Sequence, residues 1–142
     1  IRKKLDMPAM QAGLAHLVGE QDFKAFQASG AMPGKTTVRK ILEADITWQD
    51  LTFPQPTLVH ADTGLGLIRV RLVGTGFLKQ MVRSIVGTLL EVGEGRRSPE
   101  SFREIMETRN RKLVGQTAPG KGLWLEQVWY PQIPQWDWPV AP

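Results

Sequence analysis

The stretch from Gly74 to Gly95 constrains the fold of this 142-residue chain more than any other. Apolar pairs recur every four residues with polar pairs between them, at Phe77/Leu78, Met81/Val82, Ile85/Val86 and Leu89/Leu90. At about 100° per residue, this spacing predicts an α-helix with a broad apolar face. Gly74 and Gly76 permit a sharp turn into the helix, and Gly93 stands where a left-handed C-cap is expected. We therefore expect a core helix against which the rest of the chain packs.

Arg83 stands out on this helix because it lies at the edge of the apolar face, one turn after Lys79 and one turn before Gly87. With no side chain at Gly87, another backbone or a ligand can come close beside the guanidinium. A guanidinium in that setting needs an anionic partner, since burying it unpaired would cost several kcal/mol. Periodicity alone favours the plainer interpretation, an arginine at a helix edge with its charged end in water.

Four further segments have readable periodicity. Asp6 can cap a helix that ends at Gly19, with an apolar face formed by Met7, Met10, Leu14, Leu17 and Val18. Alternation predicts a strand from Val38 to Trp48, with Val38, Leu42, Ala44, Ile46 and Trp48 on one face, and a second strand from Leu67 to Val73. A third strand, from Gly122 to Tyr130, is apolar on both faces, as a central strand would be.

Shorter signals complete the prediction. Ser98 is a candidate N-cap for a helix that turns Phe102, Ile105 and Met106 inward, and Phe23 and Phe26 should point into the same core. We expect an α+β fold with a mixed or antiparallel sheet and helices on one face. Residues 1–131 would form the domain, and residues 132–142, rich in Pro and Trp, an extended tail. The first residue is Ile rather than Met, which we interpret as a sign of a fragment or a processed product.

Composition narrows the function classes. The chain is 42% hydrophobic and 23% charged, as in ordinary soluble domains, and no apolar run approaches the ~20 residues that span a bilayer. It has no cysteine, which excludes disulfides and thiolate metal sites and fits a reducing compartment such as the cytoplasm. The net charge is +4, and residues 96–121, with seven basic and three acidic residues, carry an equal excess. A polyanionic partner is favoured. No second His lies close enough to His16 in the sequence to suggest a metal site.

Two short motifs point elsewhere. Asp62-Thr63-Gly64 matches the retroviral type of aspartic protease, but it follows His60-Ala61 at a predicted hairpin turn, where Asp and Gly favour the turn backbone. Gly34-Lys35-Thr36 matches the end of a phosphate-binding loop, yet Ser29 stands where that motif needs its first Gly. We discount the second motif and keep the protease as a remote alternative.

Four segments, in order along the chain, match motifs of one protein family. Gly76–Gly87 reads Gly-Phe-Leu-Lys-Gln-Met-Val-Arg-Ser-Ile-Val-Gly, where Gly-Phe-Leu-His-His-Met-Val-Arg-Asn-Ile-Val-Gly is common in that family. The other matches are Leu17–Phe26 with its Asp-Phe-x-x-Phe, Arg97–Glu100, and Thr117–Leu125 followed by Tyr130-Pro131. Together they span nearly the whole chain up to Pro131, and they resemble the C-terminal half of the tRNA pseudouridine synthase A family.

The resemblance implies an enzyme that isomerises uridine to pseudouridine in the anticodon arm of tRNA, at about positions 38 to 40, on a base turned out of the stack. It implies no cofactor, a cytoplasmic location and a homodimer. Arg83 would pair with the catalytic aspartate, and Phe77, Gln80, Met81 and Leu123 would line the substrate pocket. Candidate RNA contacts are the basic residues Lys35, Arg39, Lys79, Arg96, Arg97, Arg109, Arg111, Lys112 and Lys121.

Two features limit this interpretation. The family's aspartate lies in Arg-Thr-Asp-x-Gly-Val-His-Ala, in the N-terminal half; Asp62 lacks that context, so the nucleophile would belong to a separate domain and this chain alone would be inactive. The family's His-His is Lys79-Gln80 here, which puts the role of the second position in question. A non-catalytic RNA-binding or scaffold module of the same fold is the alternative, and in it Arg83 would serve packing only.

Overall fold

A computed structural model describes residues 5–30, 34–50 and 66–130 of the chain. The helices in this part are α1 (Met7–Ala15), α2 (Met81–Gly93) and α3 (Ser101–Thr108), and the strands are β1 (Gly19–Asp22), β2 (Val38–Asp50) and β3 (Gly66–Gly74). Short 3-10 turns occupy Lys24–Phe26, Arg111–Leu113 and Gly120–Gly122. The Asp-Thr-Gly motif at 62–64 and the tail at 132–142 lie outside the described residues.

The three strands form an antiparallel sheet with β2 in the centre. Gly19 of β1 pairs with Ile41 and Asp22 pairs with Val38, while Trp48 pairs with Ile68 of β3. The sequence did not predict β1, because four residues with two acids and a Gln lack the alternation that marks a strand. Their pairing with β2 supplies the order that local propensity does not.

A β-bulge on β2 makes the inward-facing residues of that strand differ from the predicted ones. The register shifts between Ile41 and Glu43, which leaves Leu42 as the extra residue. Ile41 is buried, whereas Leu42 is 50% exposed and Val38 41% exposed. The single face predicted for Val38 and Leu42 together with Ala44 and Ile46 was therefore wrong, because an inserted residue reverses the alternation.

Helix α2 is shorter than the pattern predicted. Gln80 adopts a left-handed conformation with φ 60°, so the helix begins at Met81, and Phe77 and Leu78 lie in the turn before it. At the other end, Gly95 has the positive φ of 71° that was predicted for Gly93. Gly93 is instead a buried helical residue packed against Met10 of α1, where a Cβ would lie 2.5 Å from the Met10 sulfur.

The helices pack on one face of the sheet, as predicted for this α+β fold. Asp6 caps α1 by accepting the Ala9 N–H at 2.9 Å, and the rings of Phe26 and Phe102 stack at 6.0 Å. The hydrophobic core between the helices and the sheet includes the predicted inward residues Met10, Leu14, Leu17, Phe23, Phe26, Phe102, Ile105 and Met106. Ile68, Val70 and Leu72 of β3 pack against this core. In the described part, no helix is long and apolar enough to cross a membrane.

The predicted third strand does not form in the described residues. After the turn Gly120–Gly122 the chain to Tyr130 is irregular, and Trp124 and Leu125 are 84% and 81% exposed. Within this segment, Glu126 forms ion pairs with Arg69 and Arg71 on the outer face of β3. The segment 123–130 thus has the apolar composition of a buried strand, although its residues are exposed in the described chain.

Candidate functional site around Arg83

Arg83 and Ala118 hold each other by two hydrogen bonds. The Arg83 Nε–H donates to the carbonyl oxygen of Ala118 at 2.7 Å, and the Ala118 N–H donates to the carbonyl oxygen of Arg83 at 3.0 Å. Arg83 is half-buried in the third position of α2. One side of its guanidinium is therefore fixed in direction before any ligand arrives.

Gly87 makes this contact possible. A Cβ added at Gly87 would overlap the carbonyl oxygen of Gln116 and lie 2.8 Å from its carbon, so the backbone of 116–118 crosses α2 at that point. Gly120 lies beside the guanidinium, with its would-be Cβ 3.7 Å from the Arg83 Cζ. The prediction that a backbone comes close beside the guanidinium at Gly87 is confirmed, and the backbone belongs to the Thr-Ala-Pro-Gly segment.

The outer half of the guanidinium has no hydrogen-bonding partner among the residues that the structure describes. Among the described residues, Arg83 has no carboxylate within 4.0 Å, and its Nη groups make no hydrogen bond. No side-chain nitrogen or oxygen of those residues is both buried and unpartnered, so the Nη groups reach the surface. They lie in the first turn of α2, where the helix dipole adds positive potential. An anion placed there gains both a planar pair of donors and that potential.

The four predicted pocket residues lie in different settings. Phe77 is 41% exposed and Gln80 is exposed in its left-handed conformation, both just before α2. Leu123 is 51% exposed, three residues after Gly120. Met81 is fully buried and packs in the core, so it presents no surface to a ligand in this structure.

The predicted RNA contacts divide by residue type. Lys35, Lys79, Lys112 and Lys121 are exposed, and within the described residues their side chains make no hydrogen bond or ion pair. The arginines have protein partners. Arg39 donates to two backbone carbonyls, Arg96 pairs with Glu94, Arg97 binds Glu91 and the Leu113 carbonyl, and Arg109 pairs with Asp22.

Asp22 carries a perturbed pKa. Burial acts to raise the pKa of this carboxyl, but hydrogen bonds from the Thr37 hydroxyl at 2.6 Å and the Lys24 N–H at 3.0 Å, with the charges of Arg109 and Lys24, lower it overall. Asp22 therefore stays ionised and ties the end of β1 to the residue that follows α3. Its role here is to hold the fold together.

Sequence reasoning missed a polar seam between α2 and the segment that follows α3. Ser84 and Thr88 are fully buried on the core helix, and Arg111 and Thr117 meet Ser84 across the seam. The signal was present in the sequence, since hydroxyl residues four apart on an otherwise apolar face require partners. Arg111 was predicted only as an RNA contact.

This arrangement, an arginine on a core helix held by a Thr-Ala-Pro-Gly segment across a glycine, occurs in an α+β domain that belongs to the tRNA pseudouridine synthase family, whose family model matches residues 14–131. The chain is 37% identical over 130 residues to the tRNA pseudouridine synthase A of Acetivibrio thermocellus, 40% over 133 residues to that of Geobacter sp. strain M21, and 37% over 132 residues to that of Thermus thermophilus. These alignments cover 92%, 93% and 93% of the chain.

The same alignments cover 47% of each of these three relatives. The chain therefore spans about half the length of the curated relatives it matches.

Proposed function

We propose that this chain is the C-terminal domain of a tRNA pseudouridine synthase and that Arg83 supplies the cation for a catalytic carboxylate from the other half. The observation that carries the proposal is the half-fixed guanidinium. Its Nε is held by Ala118, and its Nη groups have no anion among the described residues. An arginine with only a packing role could also keep its Nη groups in water, so the support lies in the anchored Nε, because Ala118 fixes the direction in which the open donors point.

The chemistry gives Arg83 a defined task. The uridine is turned out of the stack, its N-glycosidic bond breaks, and the sugar is rejoined to C5 of the turned base. A carboxylate must remain ionised in a pocket closed to water, and burial alone would raise its pKa. A guanidinium a few ångströms away lowers that pKa again. Arginine suits this task better than lysine because its planar fork binds both oxygens and does not lose its proton.

Substitution of Arg83 tests this role. In a full-length protein that contains this chain, Arg83→Ala should abolish tritium release from uridine-labelled tRNA while tRNA binding is largely kept. Arg83→Lys should recover only part of the turnover, because an ammonium cannot bind both carboxylate oxygens and hold Ala118 at once. Lys24→Ala is the charge-matched control, and its turnover should equal that of the unsubstituted protein. Full turnover by Arg83→Ala would refute the proposal.

For tRNA binding, we propose that the four exposed lysines (Lys35, Lys79, Lys112 and Lys121) meet phosphates, together with the predicted arginines Arg39, Arg96, Arg97 and Arg109 where their protein partners release them. Each phosphate contact releases counterions, so binding should weaken steeply with salt. Replacing Lys79 and Lys121 by alanine should lower the slope of log K against log salt by roughly 1 to 2. An unchanged slope would remove both residues from the RNA surface.

We also propose that the exposed apolar residues of 123–130 pack against the other half of the full-length protein, which would act in the cytoplasm as a homodimer. Leu123, Trp124, Leu125, Val128, Trp129 and Tyr130 are all exposed in the described chain. Large apolar side chains exposed together along one short segment are typical of an interface. Hydrogen exchange of peptides from 123–130 should slow when the other half is present, and unchanged exchange would place the interface elsewhere.

A further inference from the structure

Arg111 ties three parts of the domain together through one guanidinium. Its Nη1 donates to the Ser84 hydroxyl at 3.1 Å and to the Ala25 carbonyl oxygen at 3.3 Å, and its Nη2 donates to the Thr117 hydroxyl at 3.4 Å. The hydroxyl oxygens of Ser84 and Thr117 are themselves 3.4 Å apart. Arg111 thus connects α2, the turn Lys24–Phe26 and the segment that crosses α2.

A second anchor lies two residues earlier on that segment. The Thr88 hydroxyl donates to the carbonyl oxygen of Ser84 at 2.9 Å and accepts the Gly115 N–H at 3.0 Å. Gly115 packs so closely on α2 that a Cβ there would lie 2.9 Å from the Thr88 Cα. The segment is therefore fixed at 115 by Thr88 and at 117 by Arg111.

The residue immediately after Thr117 is Ala118, the partner of Arg83. Its carbonyl oxygen can hold the Arg83 Nε only if the preceding peptides keep their direction. We propose that Arg111 is a positioning residue, which acts through Thr117 and Ala118 to aim the Arg83 guanidinium outward. The inference rests on the proposed function of Arg83, because positioning has a catalytic meaning only if Arg83 meets a carboxylate.

The surroundings of Arg111 favour this role over a contact with RNA. The side chain is half-buried, and its donors point at neutral oxygens, with no carboxylate within 4.0 Å among the described residues. Burying a cation against neutral acceptors is costly, and a lysine offers one nitrogen where the guanidinium offers two in a fixed plane. Bridging three acceptors from one plane is the property that only the arginine supplies.

The orientation of Arg83 can be measured without catalysis. In the 15N-labelled chain, the Arg83 Nε–H signal, assigned by its loss in Arg83→Lys, should exchange slowly with water because Ala118 accepts it. Arg111→Met should speed that exchange by at least about tenfold, since the anchored segment opens more often. Thr117→Val, which keeps the volume and removes the hydroxyl, should act in the same direction and serves if Arg111→Met fails to fold.

The matched control is Ile105→Val, a buried substitution on α3 that lowers Tm without touching the seam. At equal loss of Tm, it should leave the Arg83 Nε–H exchange unchanged. If Arg111→Met and Thr117→Val also leave that exchange unchanged, or if Ile105→Val speeds it equally, the positioning role is overturned.

Kinetic measurements distinguish the positioning role of Arg111 from the carboxylate-binding role proposed for Arg83. In a full-length protein, Arg111→Met should lower kcat for pseudouridine formation with the KM for tRNA little changed, and Arg111→Lys should restore only part of kcat. A raised KM with unchanged kcat would instead assign Arg111 to RNA binding. If Arg83→Ala keeps full turnover while Arg111→Met still frees the Arg83 Nε–H, the proposed function fails and the structural link between the two arginines stands.

Discussion

The substitution Gly87→Ala places a methyl group at the point where the backbone of 116–118 crosses α2. The added Cβ would overlap the Gln116 carbonyl oxygen, and it would lie 2.8 Å from the Gln116 carbon and 3.2 Å from the Ala118 nitrogen. All three obstacles are backbone atoms, so no side-chain rotation can relieve the overlap. The segment must move away from the helix, and the two hydrogen bonds between Arg83 and Ala118 must stretch or break.

The expected cost is the sum of three contributions. Overpacking costs about 1–3 kcal/mol, and two lost hydrogen bonds cost about 0.5–1.5 kcal/mol each. Alanine inside a helix is more favourable than glycine by about 1 kcal/mol, which offsets part of this cost. The free energy of unfolding should therefore fall by about 3 kcal/mol, which for a domain of this size lowers Tm by roughly 10 °C.

Gly93→Ala is the matched control on the same helix. Its Cβ would meet the Met10 sulfur at 2.5 Å, but that atom ends a flexible side chain that can turn aside. Urea unfolding of both variants should show a clearly larger loss for Gly87→Ala, and tritium release by a full-length protein should fall only for that variant. Equal stability losses, or a Gly87→Ala protein as stable as the original, would contradict the crossing geometry.

Three further outcomes follow from the structure. Because the pKa of Asp22 is lowered in the fold, its ionised form stabilises the domain above about pH 3.9, and this contribution is lost as pH falls through the lowered pKa. Asp22→Asn should lower the free energy of unfolding by about 1–2 kcal/mol at pH 7 and weaken its dependence on pH in the acid range. An unchanged pH dependence would contradict this. Gln80→Gly should relieve the left-handed backbone and raise the free energy of unfolding by about 0.5–1 kcal/mol in urea titrations, whereas a fall would show that the Gln80 side chain stabilises the turn. Glu126→Gln should speed amide exchange across 123–130 by removing the partner of two arginines, with Glu107→Gln as an inert control.

The parts of the fold that the sequence predicted depend on local spacing. A 3.6-residue period marks α2 and its buried face wherever the segment lies, and the same spacing sets Arg83 four residues before Gly87. The missing side chain at Gly87 could be interpreted as a place of close approach. The sequence could not say which backbone would come there, because Gln116 is separated from Gly87 by a helix and a turn.

The wrong predictions have non-local causes. The bulge at Leu42 is decided by how β2 pairs with β3, and the left-handed Gln80 by the need to turn from β3 into α2. The segment 123–130 has the composition of a central strand, and no strand pairs with it in the described residues. The apolar composition of 123–130 indicates that these residues favour burial, but local spacing cannot identify the surface that would bury them.

The charges around α2 support the proposal that Arg83 binds a carboxylate from outside this domain. Arg97 is neutralised by Glu91, and Arg109 by Asp22, so their charges are balanced within the fold. Arg111 has no carboxylate, yet its three hydrogen bonds to Ser84, Ala25 and Thr117 occupy both of its Nη groups. Arg83 alone combines a fixed Nε with open Nη groups among these four. A half-buried guanidinium is less screened by water than a fully exposed ammonium, so a carboxylate that docks beside Arg83 should gain more than one that meets an exposed lysine. The same contact lowers the pKa of that carboxylate, so binding of the other half and activation of its nucleophile would be one event.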